Sequence, residues 1–195
     1  MNKLGAVILL LLAGGAHAAD QLQTVEVSGL SVPGTPALAK QQHFTECTDG
    51  YDKFECRRTT QTKFYGAVAD RALLSIDGRD NFSINGGSSI APKVSDVSPE
   101  KLSYRSIRLD FHLTERETLE KALRADGWLK SGSMNTYQFF KEGVAATVKM
   151  HRSSTTLTPV DLAEVNQQIA GLKAKAADTA KSESASNSFI EDMKQ

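Results

Sequence analysis

The sequence lacks the short motifs that mark the common classes of enzyme. It has no Gly-x-Ser-x-Gly elbow, no Ser-x-x-Lys, no His-Glu-x-x-His, no phosphate-binding glycine loop and no calcium-loop pattern. Beyond residue 18 the chain has three histidines, His43, His112 and His151, and no two of them stand at the spacing of metal ligands. We therefore predict no catalytic residue, no metal site and no cofactor.

An excess of either charge is also missing. Lysine and arginine number 23, and so do aspartate and glutamate, which gives a formal net charge of zero with neutral histidines. Removing the leader predicted below takes away Lys3, leaving 22 basic and 23 acidic residues and a charge of −1. Binding to nucleic acid needs a clustered basic excess. We expect no nucleic-acid partner.

The long apolar run of the sequence stands at the N-terminus and has the form of a secretory signal. Lys3 precedes the apolar residues 4–12, and Ala16 and Ala18 give the small-x-small pattern that signal peptidase reads. The run is shorter than the roughly 20 residues that span a bilayer. We predict that residues 1–18 are a signal peptide and that no transmembrane segment follows. The expected location is a bacterial periplasm or, beyond it, the extracellular space.

Cysteine is scarce, and the two that are present, Cys47 and Cys56, flank a segment of turn formers. Asp49-Gly50 favours a tight reversal, so residues 44–47 and 54–60 are predicted to pair as a hairpin. In an oxidising compartment this arrangement indicates a structural disulfide. The alternatives are a redox pair, which usually shows Cys-x-x-Cys, and a metal site, which needs two further ligands.

Residues 102–151 have the clearest secondary-structure pattern. Ile107, Leu109, Phe111 and Leu113 alternate with polar residues, as in a strand with one buried face. Thr114 with Glu117 forms a capping-box pattern, which predicts the start of a helix.

That helix is expected to stop at Gly127, with Trp128 in the position of a Schellman contact. A second hairpin then follows, from residues 137–141 and 144–150 around Glu142-Gly143. Residues 102–151 thus read as a strand-helix-strand-strand unit, in which a helix lies on a small antiparallel sheet. Together with the N-terminal hairpin and a C-terminal helix, this unit predicts an α+β fold.

The remaining segments are less regular. Residues 19–43 are predicted to be a flexible arm or linker, residues 44–178 one domain, and residues 179–195 a disordered tail. Residues 64–76 fit a helix by their spacing, although residues 73–76 fit a strand equally well. Residues 88–101 read as a loop.

The C-terminal helix is predicted over residues 158–177, with Thr158 as its cap and Pro159 in its first position. Its apolar residues repeat at alternating spacings of three and four; they are Leu162, Val165, Ile169 and Leu172. This seam fits a helix packed on its own sheet. The alternative is a docking or self-association helix.

The residues predicted to face outward on the strand at 104–113 are the candidate binding site: Tyr104, Arg108, Asp110 and His112. An aromatic residue among mixed charges is typical of a recognition surface. It is also the composition of an ordinary solvated sheet face, and both interpretations stay open at this point.

The sequence therefore favours a small exported binding or accessory protein of the bacterial envelope, such as an inhibitor, an immunity-type protein or a complex subunit. Its expected partner is another envelope or secreted protein. One alternative is a periplasmic enzyme, such as a hydrolase, with a site that no motif marks. The other is an oligomeric envelope scaffold built through the C-terminal helix.

Overall fold

The chain folds around one large antiparallel sheet, which confirms the α+β class. The computed structural model describes residues 22–49, 54–77, 102–133, 136–152 and 154–192. No helix among these residues is long and apolar enough to cross a membrane. In chain order the elements are β1 (Val25–Val27), β2 (Leu30–Val32), α1 (Pro36–Gln41), β3 (Phe44–Asp49), β4 (Phe54–Arg58), β5 (Thr62–Phe64), β6 (Ala67–Ala69), β7 (Arg71–Asp77), β8 (Ser103–Asp110), α2 (Leu113–Ala125), β9 (Leu129–Ser133), β10 (Thr136–Phe140), β11 (Ala146–His151), β12 (Ser154–Pro159) and α3 (Leu162–Asp192).

The main sheet has eight strands in the order β3-β4-β7-β8-β12-β11-β10-β9, and every neighbouring pair is antiparallel. The predicted strand-helix-strand-strand unit supplies β8, α2, β10 and β11 to one half, which two strands absent from the prediction, β9 and β12, complete. The disulfide hairpin and β7 supply the other half. Strand β8 joins the halves because it pairs with β7 on one side and with β12 on the other.

The hairpin of β3 and β4 carries the predicted disulfide between Cys47 and Cys56, which lie directly opposite each other. Cys56 is completely buried, whereas Cys47 stands exposed at the edge of the sheet. The bridge thus closes the outer end of a row of side chains that runs along the buried face. The other members of that row are Leu74, Ile107, Leu157, Val148 and Phe139.

The segment predicted to be a flexible arm is folded onto the buried face, so the linker prediction is wrong for residues 22–43. Thr35 caps α1 by accepting a hydrogen bond from the amide of Leu38. Val27, Leu30 and Val32, from β1 and β2, are buried in the same core as the sheet. Burial of these side chains offsets the entropy cost of ordering a segment rich in turn formers.

The predicted helix over residues 64–76 is also wrong. The segment forms a small hairpin, β5 with β6, and then the strand β7, as the alternative reading of residues 73–76 suggested. Every second side chain of β7 is buried in the core, namely Ala72, Leu74 and Ile76, and this period of two is that of a strand. The loop predicted at 88–101 lies outside the described residues.

Helix α2 begins two positions earlier than the capping box of Thr114 and Glu117 predicts, so that prediction is wrong. His112 is its N-cap, and Thr114 lies inside the first turn, where its Oγ1 is 3.2 Å from Nδ1 of His112. Leu113, expected on the buried face, is 68% exposed because it opens the helix. Glu115, in the first turn, accepts a hydrogen bond from the amide of Val68 at 2.9 Å, which links α2 to β6.

The predicted end of α2 is confirmed. Gly127 adopts a φ of 85°, and the amide of Trp128 donates to the carbonyl of Leu123 while that of Gly127 donates to Arg124. These two bonds form a Schellman motif. Trp128 is thereby turned into the core, where it is 2% exposed.

Helix α3 starts later and ends later than predicted. Thr158 and Pro159 belong to β12, opposite Thr147 and Ala146, and the first turn is capped by Asp161, whose Oδ1 accepts from the amide of Ala163. The helix continues to Asp192, through most of the segment predicted to be a disordered tail.

The predicted seam of α3 packs on its own chain. Val165 and Ile169 are buried against Phe140 on the opposite side of the sheet from the main core, and Leu172 is partly buried beside them. Leu162 stays 41% exposed. The seam therefore packs α3 against the sheet of its own chain, which is the first interpretation given in the sequence analysis.

Replacing both Cys47 and Cys56 by serine is expected to lower the free energy of unfolding by about 2 to 3 kcal/mol. The reason is the chain entropy that the unfolded protein regains when a loop of this length is opened. Urea unfolding of the variant beside the oxidised wild type measures the loss. An unchanged unfolding midpoint would contradict a stabilising bridge.

Replacing Ile169 by Ala is expected to cost about 2 to 4 kcal/mol, because the side chain is 4% exposed in the second core. The sedimentation coefficient should stay that of the wild type. Ala174, exposed on the same helix, supplies the matched control as Ala174→Ser. A change of oligomeric state in Ile169→Ala without loss of stability would show that the seam serves self-association.

Candidate functional site

The two faces of the main sheet differ in what covers them. One face is buried under the N-terminal hairpin, α1, the β5–β6 hairpin and α2, which share its core. The other is covered by α3 over β9, β10 and β11. Over β3, β4, β7, β8 and β12 no described element packs on this second side. We call this uncovered region the open face.

Asp110 organises the open face. Its Oδ2 accepts a hydrogen bond from Nη2 of Arg71 at 2.8 Å, and its Oδ1 accepts one from Nε of Arg108 at 2.8 Å. The side chain of Asp110 is 11% exposed, whereas those of both arginines are 54% exposed. The carboxylate thus sits beneath two guanidinium groups and fixes their positions while leaving them in contact with solvent.

A row of side chains crosses the open face at right angles to the strands. Arg57 lies opposite Leu73, which lies opposite Arg108, and Thr156 and Lys149 continue the row. Because neighbouring strands are about 4.8 Å apart, Arg57, Arg108 and Lys149 follow one another at intervals of roughly 10 Å. The row therefore presents three cationic side chains at regular spacing on a rigid sheet.

Arg57 differs from Arg71 and Arg108 because it forms no ion pair within the described part of the chain. The acidic residue Glu46 nevertheless lies directly opposite it on β3. Arg57 and Arg71 both line a hollow of about 310 Å³ on the open face, together with Glu46, Thr48 and Glu55.

Tyr104 does not belong to this face, so its predicted place beside Arg108 and Asp110 is wrong. Between the pairs Leu74–Ile107 and Ile76–Tyr104, β8 has one residue more than β7, which is a β-bulge. The extra residue reverses the alternation, since side chains on a strand point to opposite faces in turn. Tyr104 therefore points into the main core and is completely buried.

The hydroxyl of Tyr104 connects the N-terminal segment to the sheet. It donates to the carbonyl of Ser31 at 2.9 Å and accepts from Nε2 of Gln42 at 2.6 Å. Burial raises the pKa of Tyr104 to about 12. Gly34 lies against the ring, where a Cβ would stand 2.5 Å from the hydroxyl oxygen. The residue is a structural bridge and is closed to partners.

His112 is separated from the ion pairs as well. It caps α2 beyond the end of β8. Of the four residues predicted to form a binding site, the structure thus brings together Arg108 and Asp110, and it adds Arg71 and Arg57.

Among the described residues, Ser154, His151 and Asp110 resemble catalytic machinery, but their hydrogen bonds are structural. Ser154 stands between His151 and Asp110 across three strands. However, its Oγ donates to the carbonyl of His151 rather than to the ring. Both oxygens of Asp110 accept from arginines. As arranged, these three side chains form no nucleophile-base relay of the kind used in acyl transfer.

No group of three or more histidine, cysteine, aspartate or glutamate side chains is placed to hold a metal ion anywhere in the described ranges. Comparison of the chain with protein-family models, with curated proteins and with solved structures finds no match. The open face is therefore interpreted from its own geometry.

Replacing Tyr104 by Phe is expected to lower the free energy of unfolding by about 1 to 3 kcal/mol near neutral pH, because Ser31 and Gln42 lose a buried partner. A pH dependence should accompany this loss. The folded-state pKa of Tyr104 is raised to about 12 from an ordinary 10. Its neutral form therefore contributes stability that is complete below pH 10 and is lost as the pH rises to 12.

Urea unfolding at pH 8 and at pH 11 tests both effects. The wild type should lose more stability than Tyr104→Phe between the two pH values. Tyr65, whose pKa is also raised to about 12 by burial, keeps part of the loss in the variant. Equal losses in the two proteins would contradict the assignment.

Proposed function

We propose that this chain is an exported, non-catalytic binding or accessory protein of the bacterial envelope that docks on another protein through the open face. The class includes inhibitors, immunity-type proteins and complex subunits. The observation that carries the proposal is the placement of Arg71 and Arg108. Both are fixed by the buried carboxylate of Asp110 and both remain half-exposed on an uncovered sheet.

Fixed arginines suit a binding surface for an energetic reason. A free arginine loses rotamer entropy when a partner immobilises it, at a cost of about 0.5 to 1.5 kcal/mol. Asp110 has already restricted Arg71 and Arg108 in the unbound protein, so less remains to be lost on docking. Arginine is also enriched among the residues that dominate binding energy at protein interfaces.

The chemistry of the open face indicates an acidic partner surface. Arg57, Arg71, Arg108 and Lys149 are cationic and exposed, whereas Asp110 is almost fully buried beneath two of them. The outermost charge over β7, β8 and β11 is therefore positive, whereas over β3 and β4 Arg57 lies beside Glu46 and Glu55. Carboxylates on the partner would pair with the guanidinium groups of Arg57 and Arg108 in the bidentate geometry that arginine favours.

Export is supported by two features of the chain. The disulfide between Cys47 and Cys56 is the kind of bond that persists in oxidising compartments. Residues 1–18, which lie outside the described residues, carry the pattern of a secretory signal. The periplasm is the compartment we propose.

The two alternatives have different consequences. A hydrolase would require Ser154, His151 and Asp110, or other groups, to rearrange from their present bonds, and it would turn over a substrate. A scaffold built through α3 would need Val165 and Ile169, which are buried within their own chain. It would show a mass that depends on concentration.

Site-specific photocrosslinking in the native cell envelope tests the docking surface. A photoreactive residue in place of Thr156, which lies opposite Arg108 on the open face, should form one adduct of defined mass with a single protein. The same residue in place of Lys40, exposed on α1 at the covered side, is the matched control and should give none. Equal adducts from both positions, or adducts from Lys40 alone, would overturn the proposal.

Affinity for the partner identified in this way provides the quantitative test. Arg108→Ala should weaken binding about tenfold or more, since truncated arginine anchors commonly cost above 1 kcal/mol. Asp110→Asn should weaken it too, although the change makes the face more positive, because the guanidinium groups lose their anchor.

Lys40→Ala, exposed on α1 at the covered side, is the control and should leave the affinity unchanged. Circular dichroism establishes that each variant is folded. Wild-type affinity in both Arg108→Ala and Asp110→Asn would exclude the open face as the docking surface.

A further inference from the structure

A cleft opens at the end of the sheet where β4 ends and β7 begins. Its walls are the connection from β4 to β5 and the residues that join β6 to β7, and its volume is about 370 Å³. This volume falls at the lower end of the range for small-molecule sites in proteins. The cleft borders the open face, because Arg57 and Arg71 line both.

The lining of the cleft is predominantly cationic. Arg57, Arg58 and Arg71 contribute to it, and Asp70 is the one acidic residue among the side chains that line it. Arg71 is paired with Asp110, whereas Arg57 and Arg58 have no acidic partner in the described part of the chain. The cleft therefore carries uncompensated positive charge.

Among the arginines that line the cleft, Arg58 is the one with a guanidinium nitrogen that is shielded from solvent and lacks a hydrogen-bond partner. It lies on the buried side of β4, where Nη1 donates to Oγ1 of Thr62 at 3.3 Å and Nε is shielded from solvent without a hydrogen-bond partner. Burial lowers the pKa of its guanidinium group. A charged group removed from water is stabilised when an opposite charge lies close to it, and no carboxylate of the described residues is paired with this one.

Neutral donors complete the lining. Thr60 and Gln61 stand exposed on the connection from β4 to β5, and their side chains have no bond to other described residues. Guanidinium, hydroxyl and amide groups that converge on one cleft are the donors that recognise the oxygens of phosphates and carboxylates.

We propose that this cleft is a binding site for a small oxyanion, a phosphate or a carboxylate. The guanidinium groups of Arg57 and Arg71 hold the anion, and Arg58 adds positive charge on the buried side of β4. Thr60 and Gln61 provide the neutral donors. The site does not depend on a protein partner. It is therefore tested on the isolated protein, and its failure would leave the docking surface unaffected.

The experiment is a titration of the isolated ¹⁵N-labelled protein, followed by NMR. Inorganic phosphate and succinate are added in separate series at pH 7 and constant ionic strength, with sodium chloride as the control series. The backbone amides of residues 59–62 and 68–72 and the arginine Nε–H signals report on the cleft. We expect saturable shifts confined to these signals with at least one of the two anions, and the stronger binder identifies the ligand class.

Three variants sharpen the test. Arg57→Gln, at an exposed position, should weaken binding about tenfold or more, which is the usual scale for losing one charge-assisted contact. Arg58→Met should weaken it while leaving the fold intact, since an apolar chain of similar length replaces a desolvated charge. Asp70→Asn should tighten binding, because it removes the one acidic side chain from the lining.

Arg105→Gln removes an equivalent charge far from the cleft and should bind the anion as the wild type does. Shifts that grow linearly with every anion, chloride included, would overturn the proposal. So would wild-type affinity in Arg57→Gln together with no tightening in Asp70→Asn.

Discussion

One additional residue in β8 determines how the covered side of the sheet is closed. The bulge turns Tyr104 away from Arg108 and into the core, where its hydroxyl reaches Ser31 and Gln42. Without that rotation the carbonyl of Ser31 and the side chain of Gln42 would lose their hydrogen bonds to the sheet, and the backbone bridge between Gly34 and Tyr104 would remain as a polar connection. A local irregularity thus determines which segment covers the core.

The same rotation affects the opposite face. Because Tyr104 occupies the covered side, the open side of β8 carries Arg108 and Asp110 without the aromatic residue that the sequence analysis placed beside them. Arg71 reaches the carboxylate because it lies directly opposite Asp110 on the neighbouring strand. The bulge thus lets one strand place Arg108 and Asp110 on the open face and Tyr104 in the core, since an extra residue reverses the alternation of side chains.

The parts of the fold that the sequence predicts correctly are those determined by local chemistry. The disulfide hairpin follows from Asp49-Gly50 between two cysteines, and the end of α2 follows from Gly127 and Trp128. The errors come from tertiary contacts that override local signals. Thr158 and Pro159 form a strong helix-start pattern, yet pairing with β11 holds them in β12.

The candidate site was predictable only in part, because two of its arginines are brought to it by tertiary strand pairing. Arg108 and Asp110 share a face because they are two residues apart on one strand, and the sequence shows that directly. Arg57 and Arg71 reach the site through the pairing of β4 and β7 with β8, which no local pattern reveals. The alternation of Arg71, Leu73 and Ser75 with the buried residues of β7 was the available signal, and the helical spacing in residues 64–76 obscured it.

Asp110 and Arg58 show two different solutions to placing charge near a core. Asp110 is nearly buried and receives two charge-assisted hydrogen bonds, so its desolvation is offset within the chain. Arg58 is partly buried with one neutral acceptor and an unpaired Nε. If both served stability alone, Arg58 would be expected to have a carboxylate partner as Asp110 has its arginines. The difference between the two residues is the physical reason to look for the counter-charge of Arg58 in a ligand.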